Sequence, residues 1–135
     1  MTATTSNADI VRSLYDAFSR HDIDAVINVL APDFELITAT TLPWSKGEYH
    51  GREEALTFFG SMAKSVINGH LQVDEILEGR DHVVVHGREQ ATVAATGKSF
   101  DAMFTHSFTV RGGKIDRLRG VVDTGAILAA WPADR

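Results

Sequence analysis

The sequence contains no cysteine, no long apolar run and no cluster of basic residues. Without cysteine, disulfides and thiolate metal sites are excluded. No apolar stretch approaches the length of a membrane span or of a signal-peptide core, so we expect a cytoplasmic protein without a membrane partner. The net charge is −5 and the lysines and arginines are dispersed. This argues against a nucleic-acid partner, because neutralising phosphates requires clustered basic side chains.

Motifs for phosphate, metal and nucleophilic catalysis are missing as well. The chain has no glycine-rich phosphate loop, nucleophile elbow or zinc signature, and no pair of histidine and acid has metal-ligand spacing. We therefore expect neither a cofactor nor a metal. The remaining composition, 44% apolar and 23% charged residues, is ordinary for a globular protein. A chain of 135 residues predicts one domain, residues 1–135, with its own core.

The first half of the chain shows apolar residues at helical spacing. Ser6 is the expected N-cap of the first helix, with an acid three residues later. A second, short helix starts after Asp22 and is stopped by Pro32. A third helix spans "REEALTFFGSMAKSVIN", residues 52–68, and Gly69 ends it.

From about residue 70 the pattern changes to β-rich runs separated by turn residues. The runs are "LQVDEIL", "HVVVHGREQATVAA", "FDAMFTHSFTVR" and "KIDRLRGVV", with turns such as Thr96-Gly97 and Gly112-Gly113 between them. Three helices, an antiparallel meander and a short C-terminal helix predict an α+β domain.

Two ionisable residues fall on the apolar faces of adjacent predicted strands. Alternation places Glu89 and His106 on these faces. A two-residue turn at Thr96-Gly97 would set Glu89 opposite Phe104 and make Glu89 and His106 diagonal neighbours. They would then form either a satisfied structural pair or a polar patch at the base of a pocket, suited to proton transfer. A register shifted by one residue would instead place Glu89 outside.

The turn before the last strand decides which of its residues face inward. A two-residue loop on Gly112-Gly113 would bury Arg117 and Arg119, which is costly without several acids nearby. A three-residue loop with Gly113 in the left-handed conformation avoids this burial, and we expect it. The inward residues are then Leu118, Gly120 and Val122.

Three segments, "YHGREEALTFF", "ATGKSFDAMFTHSFTVRGGKI" and "VVDTGAIL", resemble the SnoaL-like and ketosteroid-isomerase-related branch of the NTF2-like superfamily. The resemblance extends from the first helix to Leu128. It implies a conical fold in which a curved antiparallel sheet wraps around the helices and leaves a deep pocket. It does not by itself imply one activity, because the superfamily includes isomerases, cyclases, dehydratases, epoxide hydrolases and binding proteins.

The residues of authentic ketosteroid isomerases do not match this chain. In that comparison the catalytic base falls near Thr38 and the oxyanion-hole acid falls on His106. The oxyanion-hole tyrosine falls near Leu14. Tyr15 is the next residue, and one residue further along a helix points about 100° away from Leu14. Steroid isomerisation by that route is therefore not expected.

Two other activities of the superfamily share part of their residue pattern with this chain. Arg88-Glu89-Gln90 and Asp123 are similar to the epoxide hydrolases, but that arrangement needs an acid where Gln90 stands. The SnoaL-type polyketide cyclases use an acid near the end of the last long strand, and Asp123 is similar to it in position. Asp123 either caps the final helix or acts as acid or base, and we predict that it does both.

The sequence thus predicts cofactor-free acid/base chemistry on a small apolar carbonyl compound, with a non-catalytic binder of a small apolar ligand as the alternative. His106 and Asp123 are the predicted acid and base, and Glu89 tunes or shares these roles. Trp44, in the long loop 38–51, is expected at the pocket rim. The predicted ligand-binding residues are Tyr15, Phe18, Trp44, Phe59, Met62, Phe104, Leu118 and Val122.

The outer face of the sheet is expected to form a homodimer. This face is neither fully apolar nor densely charged, as is common for partner surfaces, and many relatives in the resembling superfamily pair sheet to sheet. A solvated sheet face is the alternative. In the predicted strand "HVVVHGREQATVAA", the residues on the outer face are Val84, His86, Arg88, Gln90 and Thr92.

Overall fold

The computed structural model describes residues 6–38 and 42–132, which form four helices and six strands. Residues 39–41 of the predicted loop lie outside the described residues. The helices are α1 (Asn7–Ser19), α2 (Ile23–Val29), α3 (Gly51–Ser65) and α4 (Thr124–Ala129). The strands are β1 (Leu30–Ile37), β2 (Glu48–His50), β3 (Val66–Glu78), β4 (His82–Val93), β5 (Ser99–Arg111) and β6 (Lys114–Val122).

The six strands form one curved, unclosed sheet in the order β2-β1-β6-β5-β4-β3. Strands β3 to β6 are the predicted antiparallel meander, and β1 is added to β6 in parallel. Three helices precede β3 and a short one follows β6, so the predicted α+β class is confirmed. None of the helices among the described residues has the length and hydropathy of a membrane span.

The first helix is fixed to the sheet at its N-terminus. Ser6 and Asp9 form the capping box that the sequence predicts, with the Ser6 side chain accepting from the Asp9 amide. The backbone amide of Ala8, in the first turn of the helix, donates a hydrogen bond to Oε1 of Glu78 at the end of β3, at 2.8 Å. This contact orients α1 across the inner face of the sheet.

The second helix is capped by Asp22 as predicted, but its predicted end is wrong. It ends at Val29, because Leu30 already belongs to β1 and pairs with Ile115 of β6. Pro32 therefore lies inside β1 and does not stop the helix.

The predicted end of the third helix is also wrong. α3 ends at Ser65, and Val66 and Ile67 are the first residues of β3. Both side chains are β-branched, which favours a strand over another helical turn, and both residues pair with β4. Gly69 is consequently a strand residue and not a helix cap.

The inner face of β4 follows the predicted alternation. Its buried residues are Val83, Val85, Gly87, Ala91 and Val93. The predicted register with β5 is wrong, however, because Glu89 pairs with Ala102 and not with Phe104, and His106 pairs with Val85. Glu89 and His106 are therefore not diagonal neighbours, and the expected pair between them does not form.

The register differs because the connection between β4 and β5 is longer than two residues. Residues 94–98 separate the strands, and Gly97, at φ 71°, donates its amide hydrogen to the Val93 carbonyl. A shift of two residues leaves both apolar faces on the same side of the sheet. The apolar pattern alone is thus compatible with both registers.

The turn between β5 and β6 is a two-residue turn, so the predicted three-residue loop is wrong. Gly112 and Gly113 connect Arg111 to its partner Lys114, and both glycines have positive φ, 58° and 78°. This combination matches the type I′ turn that suits the twist of a hairpin.

The predicted orientation of β6 is nevertheless confirmed, because a β-bulge corrects the alternation. Ile115 pairs with Val110 while Arg117 pairs with Thr109, so Asp116 is an additional residue. Beyond this bulge Leu118 is buried, and the arginines of β6 are exposed on the outer face.

Candidate functional site

The inner face of β5 places an imidazole against the first helix. Nδ1 of His106 lies 2.7 Å from the hydroxyl of Tyr15, a half-buried residue of α1. The two rings are nearly parallel, with 6° between their planes. A hydrogen bond of this length occupies one ring nitrogen of His106 and fixes the orientation of the ring.

Aromatic rings surround this pair. His106 stacks on Phe104 with ring centroids 4.1 Å apart, and Phe108 contacts it edge-on at 6.1 Å. Burial in these surroundings lowers the pKa of His106 to about 3 and raises the pKa of Tyr15. Both groups are therefore uncharged at neutral pH.

The second nitrogen of the imidazole lies near a glycine of β6. Gly120 of β6 is directly opposite His106, and a Cβ placed on it would lie 3.8 Å from Nε2 and 3.4 Å from Cδ2 of that ring. The same point is 3.7 Å from Oγ1 of Thr38, the residue that follows β1. Because Gly120 has no side chain, the His106 ring and the Thr38 hydroxyl pack close to the backbone of β6.

Glu89 lies on the inner face as alternation predicts, but away from His106. It is half-buried between Leu71 of β3 and Ala102 of β5. Burial raises the pKa of its carboxyl group. Among the described residues no hydrogen bond or ion pair involves this carboxylate. Glu89 lies four positions along β4 from Val85, the partner of His106, which is a distance of about 13 Å.

Asp123 forms the helix cap that was one of its two predicted roles. Its Oδ1 accepts from the Ala126 amide at 3.2 Å, and its own amide donates to the Met103 carbonyl. The residue is exposed. The structure therefore brings Tyr15 to His106, while Glu89 and Asp123 each lie in separate surroundings.

Most of the predicted ligand-binding residues belong to one apolar cluster. This cluster is the packed core between the helices and the inner face of the sheet, and it includes Tyr15, Phe18, Phe59, Met62, Phe104, Leu118 and Val122. Trp44 is instead buried in a second cluster, where its ring centroid lies 5.5 Å from that of Trp131.

The outer face contains a polar cavity of about 300 Å³ at one end of the sheet. Glu35 and Arg117 line it and form an ion pair at 2.8 Å. The described residues contain no group of three His, Asp or Glu side chains arranged to hold a metal ion.

The contact between Tyr15 and His106 was not predicted from the sequence. The two residues are 91 positions apart, and helical spacing alone does not say which side of α1 meets which strand. Gly120 was predicted to face inward, but its position opposite His106 depends on the register of β5 and β6.

The family model for the SnoaL-like domain matches residues 11–118. No curated protein sequence matches the chain significantly. Among solved structures, an NTF2-like protein from Burkholderia thailandensis is 27% identical, with a TM-score of 0.88 over 96% of this chain and 99% of that protein.

Two further structures share the fold and were solved with small molecules. TerC, co-crystallised with polyporic acid, is 24% identical with a TM-score of 0.83 over 92% of this chain and 96% of its own. A hypothetical protein from Catenulispora acidiphila has a ketosteroid isomerase-like fold and was solved with trimethylamine. It is 19% identical, with a TM-score of 0.81 over 97% of this chain and 98% of its own. These likenesses confirm the NTF2-like fold that the sequence predicts.

Proposed function

Because the chain belongs to the SnoaL-like domain family, we propose that it binds a small apolar carbonyl compound between its helices and its sheet and catalyses proton transfer on it without a cofactor. The observation that supports this proposal is the bonded pair of Tyr15 and His106. It is a polar group held in a fixed orientation within an otherwise apolar wall. Wider members of this fold have been crystallised with small organic molecules, which is consistent with such a ligand.

His106 acts in this proposal as a hydrogen-bond donor. Its low pKa keeps the ring uncharged at neutral pH and also makes it a weak base. The Tyr15 hydroxyl keeps its proton because its pKa is raised, and in this proposal it donates the hydrogen bond to Nδ1. The imidazole proton is then on Nε2, where it can be donated to a carbonyl oxygen.

Glu89 acts as the base. Its raised pKa makes it a stronger base than an exposed carboxylate, and it lies on the same inner face of the sheet as His106. The carboxylate takes a proton from the carbon next to the carbonyl group. The electron pair of that C–H bond moves to the carbonyl oxygen, and the resulting enolate accepts the hydrogen bond from Nε2 of His106. Protonated Glu89 returns the proton to carbon.

The experiment is hydrogen–deuterium exchange next to the carbonyl, followed by NMR for a panel of cyclic and aromatic ketones in heavy water. We expect the wild type to accelerate exchange for at least one ketone. Glu89→Gln should abolish the acceleration, and His106→Ala should reduce it by about 10²-fold, the usual size of an electrostatic contribution. Glu75→Gln, the same change at an exposed residue of β3, is the matched control and should retain the wild-type rate.

Asp123 is tested in the same assay. If it is only a helix cap, Asp123→Asn retains the exchange rate; a loss of rate at unchanged stability would restore the acid or base role predicted from the sequence. The rate in the wild type should fall as the pH decreases through the raised pKa of Glu89, because only its carboxylate accepts a proton.

The alternative function is binding without turnover. The apolar wall of the predicted ligand-binding residues favours it as much as it favours catalysis. Saturable binding of a ketone without any acceleration of exchange, across the whole panel, would contradict the enzyme and support the binder.

A further inference from the structure

We propose that the outer face of the sheet carries a separate binding site for a small tetrahedral oxyanion, the phosphate or sulfate group of a monoester. The site is a cavity of about 170 Å³ at the end of the sheet where β4 begins and β5 ends. This goes beyond the proposed function, because Tyr15 and His106 meet on the opposite, inner face. The residues that line the cavity are His82, Ser107, Phe108, Thr109, Arg117 and Arg119.

The register of three strands brings the polar side chains of this cavity together. Arg117 of β6 lies opposite Thr109 of β5, and Thr109 lies opposite His82 of β4. Two residues along, Arg119 lies opposite Ser107. Residues two apart on a strand share a face, so all five side chains are on the outer side of the sheet.

Arg119 and Ser107 provide donors that the protein itself does not use. Among residues 6–38 and 42–132, no acid forms an ion pair with Arg119 and no hydrogen bond involves the Ser107 hydroxyl. Arg117 contacts Glu35 through Nε, at 2.8 Å, and that contact does not involve its two terminal nitrogens. None of the six lining residues is acidic. The cavity therefore offers positive charge and N–H and O–H donors to a ligand.

The arrangement of these donors favours a tetrahedral anion. The guanidinium groups come from β6 and the hydroxyls from β5, so they approach a bound group from different sides. A phosphate or sulfate group presents three terminal oxygens in different directions, whereas a carboxylate presents two in one plane. The volume of about 170 Å³ is several times the about 30 Å³ that one water occupies in the liquid, so a polyatomic group fits.

The surroundings of the cavity favour a small anion over a long polyanion. The larger outer cavity, of about 300 Å³, adjoins it and shares His82, Thr109 and Arg117. Three carboxylates line that larger cavity, and the whole chain has a net charge of −5. A nucleic acid extending from the site would be repelled by these charges, while a monoester would not reach them. The three acids are Asp33, Glu35 and Asp116.

The test is an NMR titration of the backbone amides of Ser107 and Arg119 with methyl phosphate, using the full chain in its own oligomeric state. Acetate is the planar comparison, and neither probe has an aromatic group that would favour the apolar core. Sodium chloride keeps the ionic strength constant, because salt weakens exposed charge interactions. We expect saturable shifts with methyl phosphate and binding of acetate that is at least about threefold weaker.

Four variants separate this site from a general effect of charge. Arg119→Gln should weaken binding of methyl phosphate at least about tenfold, because it removes a charge-assisted hydrogen bond. Arg119→Lys keeps the charge but not the planar pair of donors, and should give an intermediate affinity. Ser107→Ala should weaken binding about threefold. Arg12→Gln, the same loss of charge at an exposed residue of α1, is the matched control and should bind like the wild type.

Three results would overturn the inference. They are a wild-type protein without saturable shifts at these amides, equal affinities of Arg119→Gln and Arg12→Gln, and acetate that binds as tightly as methyl phosphate. An interface between two copies that covers the cavity would give the first of these results. Tighter binding of a short DNA duplex than of methyl phosphate at the same amides would also overturn it. Circular dichroism checks that each variant keeps the fold, which we expect because Arg119 is exposed.

Discussion

His106 makes the stability of the protein sensitive to acid. Its pKa is lowered by burial to about 3 in the folded state, against about 6.5 in an unfolded chain. Between these values the unfolded state binds a proton that the folded state does not bind, so the free energy of unfolding decreases as the pH falls. This contribution reaches at most about 1.4 kcal/mol per pH unit and is absent above about pH 6.5.

Urea unfolding followed by tryptophan fluorescence, from pH 7 to pH 4, measures this dependence. His106→Gln, which cannot titrate, should show a clearly shallower decrease over the same range. An imidazole titration of His106 near pH 6.5 in the folded protein would contradict the expectation. Glu89→Gln should barely change that titration, because the observed register separates the two residues.

Tyr15→Phe should destabilise the protein by leaving Nδ1 of His106 without its partner. The hydrogen bond at 2.7 Å is the one that occupies this nitrogen, and an unpaired buried polar group costs about 1–3 kcal/mol. Thermal or urea unfolding measures the loss.

The double variant Tyr15→Phe/His106→Phe provides the control. Removing both partners leaves no unsatisfied group, so the double variant should lose less stability than the sum of the two single variants. Strict additivity would show that the two side chains do not interact in solution.

For single residues, the sequence predicts which face of the sheet a side chain lies on better than it predicts which other side chains it contacts. Alternation along one strand was sufficient to place His106 and Glu89 on the inner face. It was not sufficient to pair them correctly, because pairing depends on the length of a connection at the far end of the strands. The comparison with ketosteroid isomerases pointed to Leu14, whereas its neighbour Tyr15 reaches the site.

Among the secondary-structure elements, β6 allows a direct test of whether the bulge at Asp116 determines which of its residues face inward. Deleting Asp116 removes the bulge but leaves Arg117 opposite Thr109 and the inner residues in place. We expect this variant to fold and to lose at most about 2 kcal/mol, within the ordinary range for one residue. Circular dichroism and urea unfolding measure the outcome.

Deleting Arg119 is the matched comparison on the same strand. This deletion lies after the bulge, so it would turn Val121 inward and move Gly120 away from His106. It should cost far more stability than the deletion of Asp116. Equal losses in the two variants would contradict the assignment of Asp116 as the additional residue.

The same strand shows why the sequence predicts β6 only in part. The cost of burying two arginines correctly fixed which residues face inward, and this physical condition holds whatever the turn. The Gly112-Gly113 pair is typical of a two-residue turn, but the bulge at Asp116 that reconciles this turn with exposed arginines has no signal in the sequence. Helix ends were missed for a similar reason, since Leu30 and Val66 pair in the sheet with strands far along the chain.

At the scale of the whole molecule, the outer face of the sheet has an unusual apolar patch. Met103 and Val121 are each 64% exposed. Val121 pairs with Thr105, two residues from Met103 on the same face, so the two side chains are neighbours on adjacent strands. The half-buried outer residues of β4 continue the same surface, and an ion pair of Arg88 with Asp101 at 2.7 Å borders it.

Such an apolar centre with a polar border is typical of surfaces between protein chains, so we predict a homodimer that buries Met103 and Val121. Light scattering at micromolar concentration should give about twice the mass of the 14.7 kDa chain. Met103→Lys/Val121→Lys should shift the mass to that of a monomer without unfolding the chain, because charges of one sign would face each other across the two-fold axis. Leu56→Lys, at a residue of α3 that is also exposed, should leave the dimer intact. A wild-type protein with the mass of a single chain would refute the prediction and leave the outer face as a solvated surface.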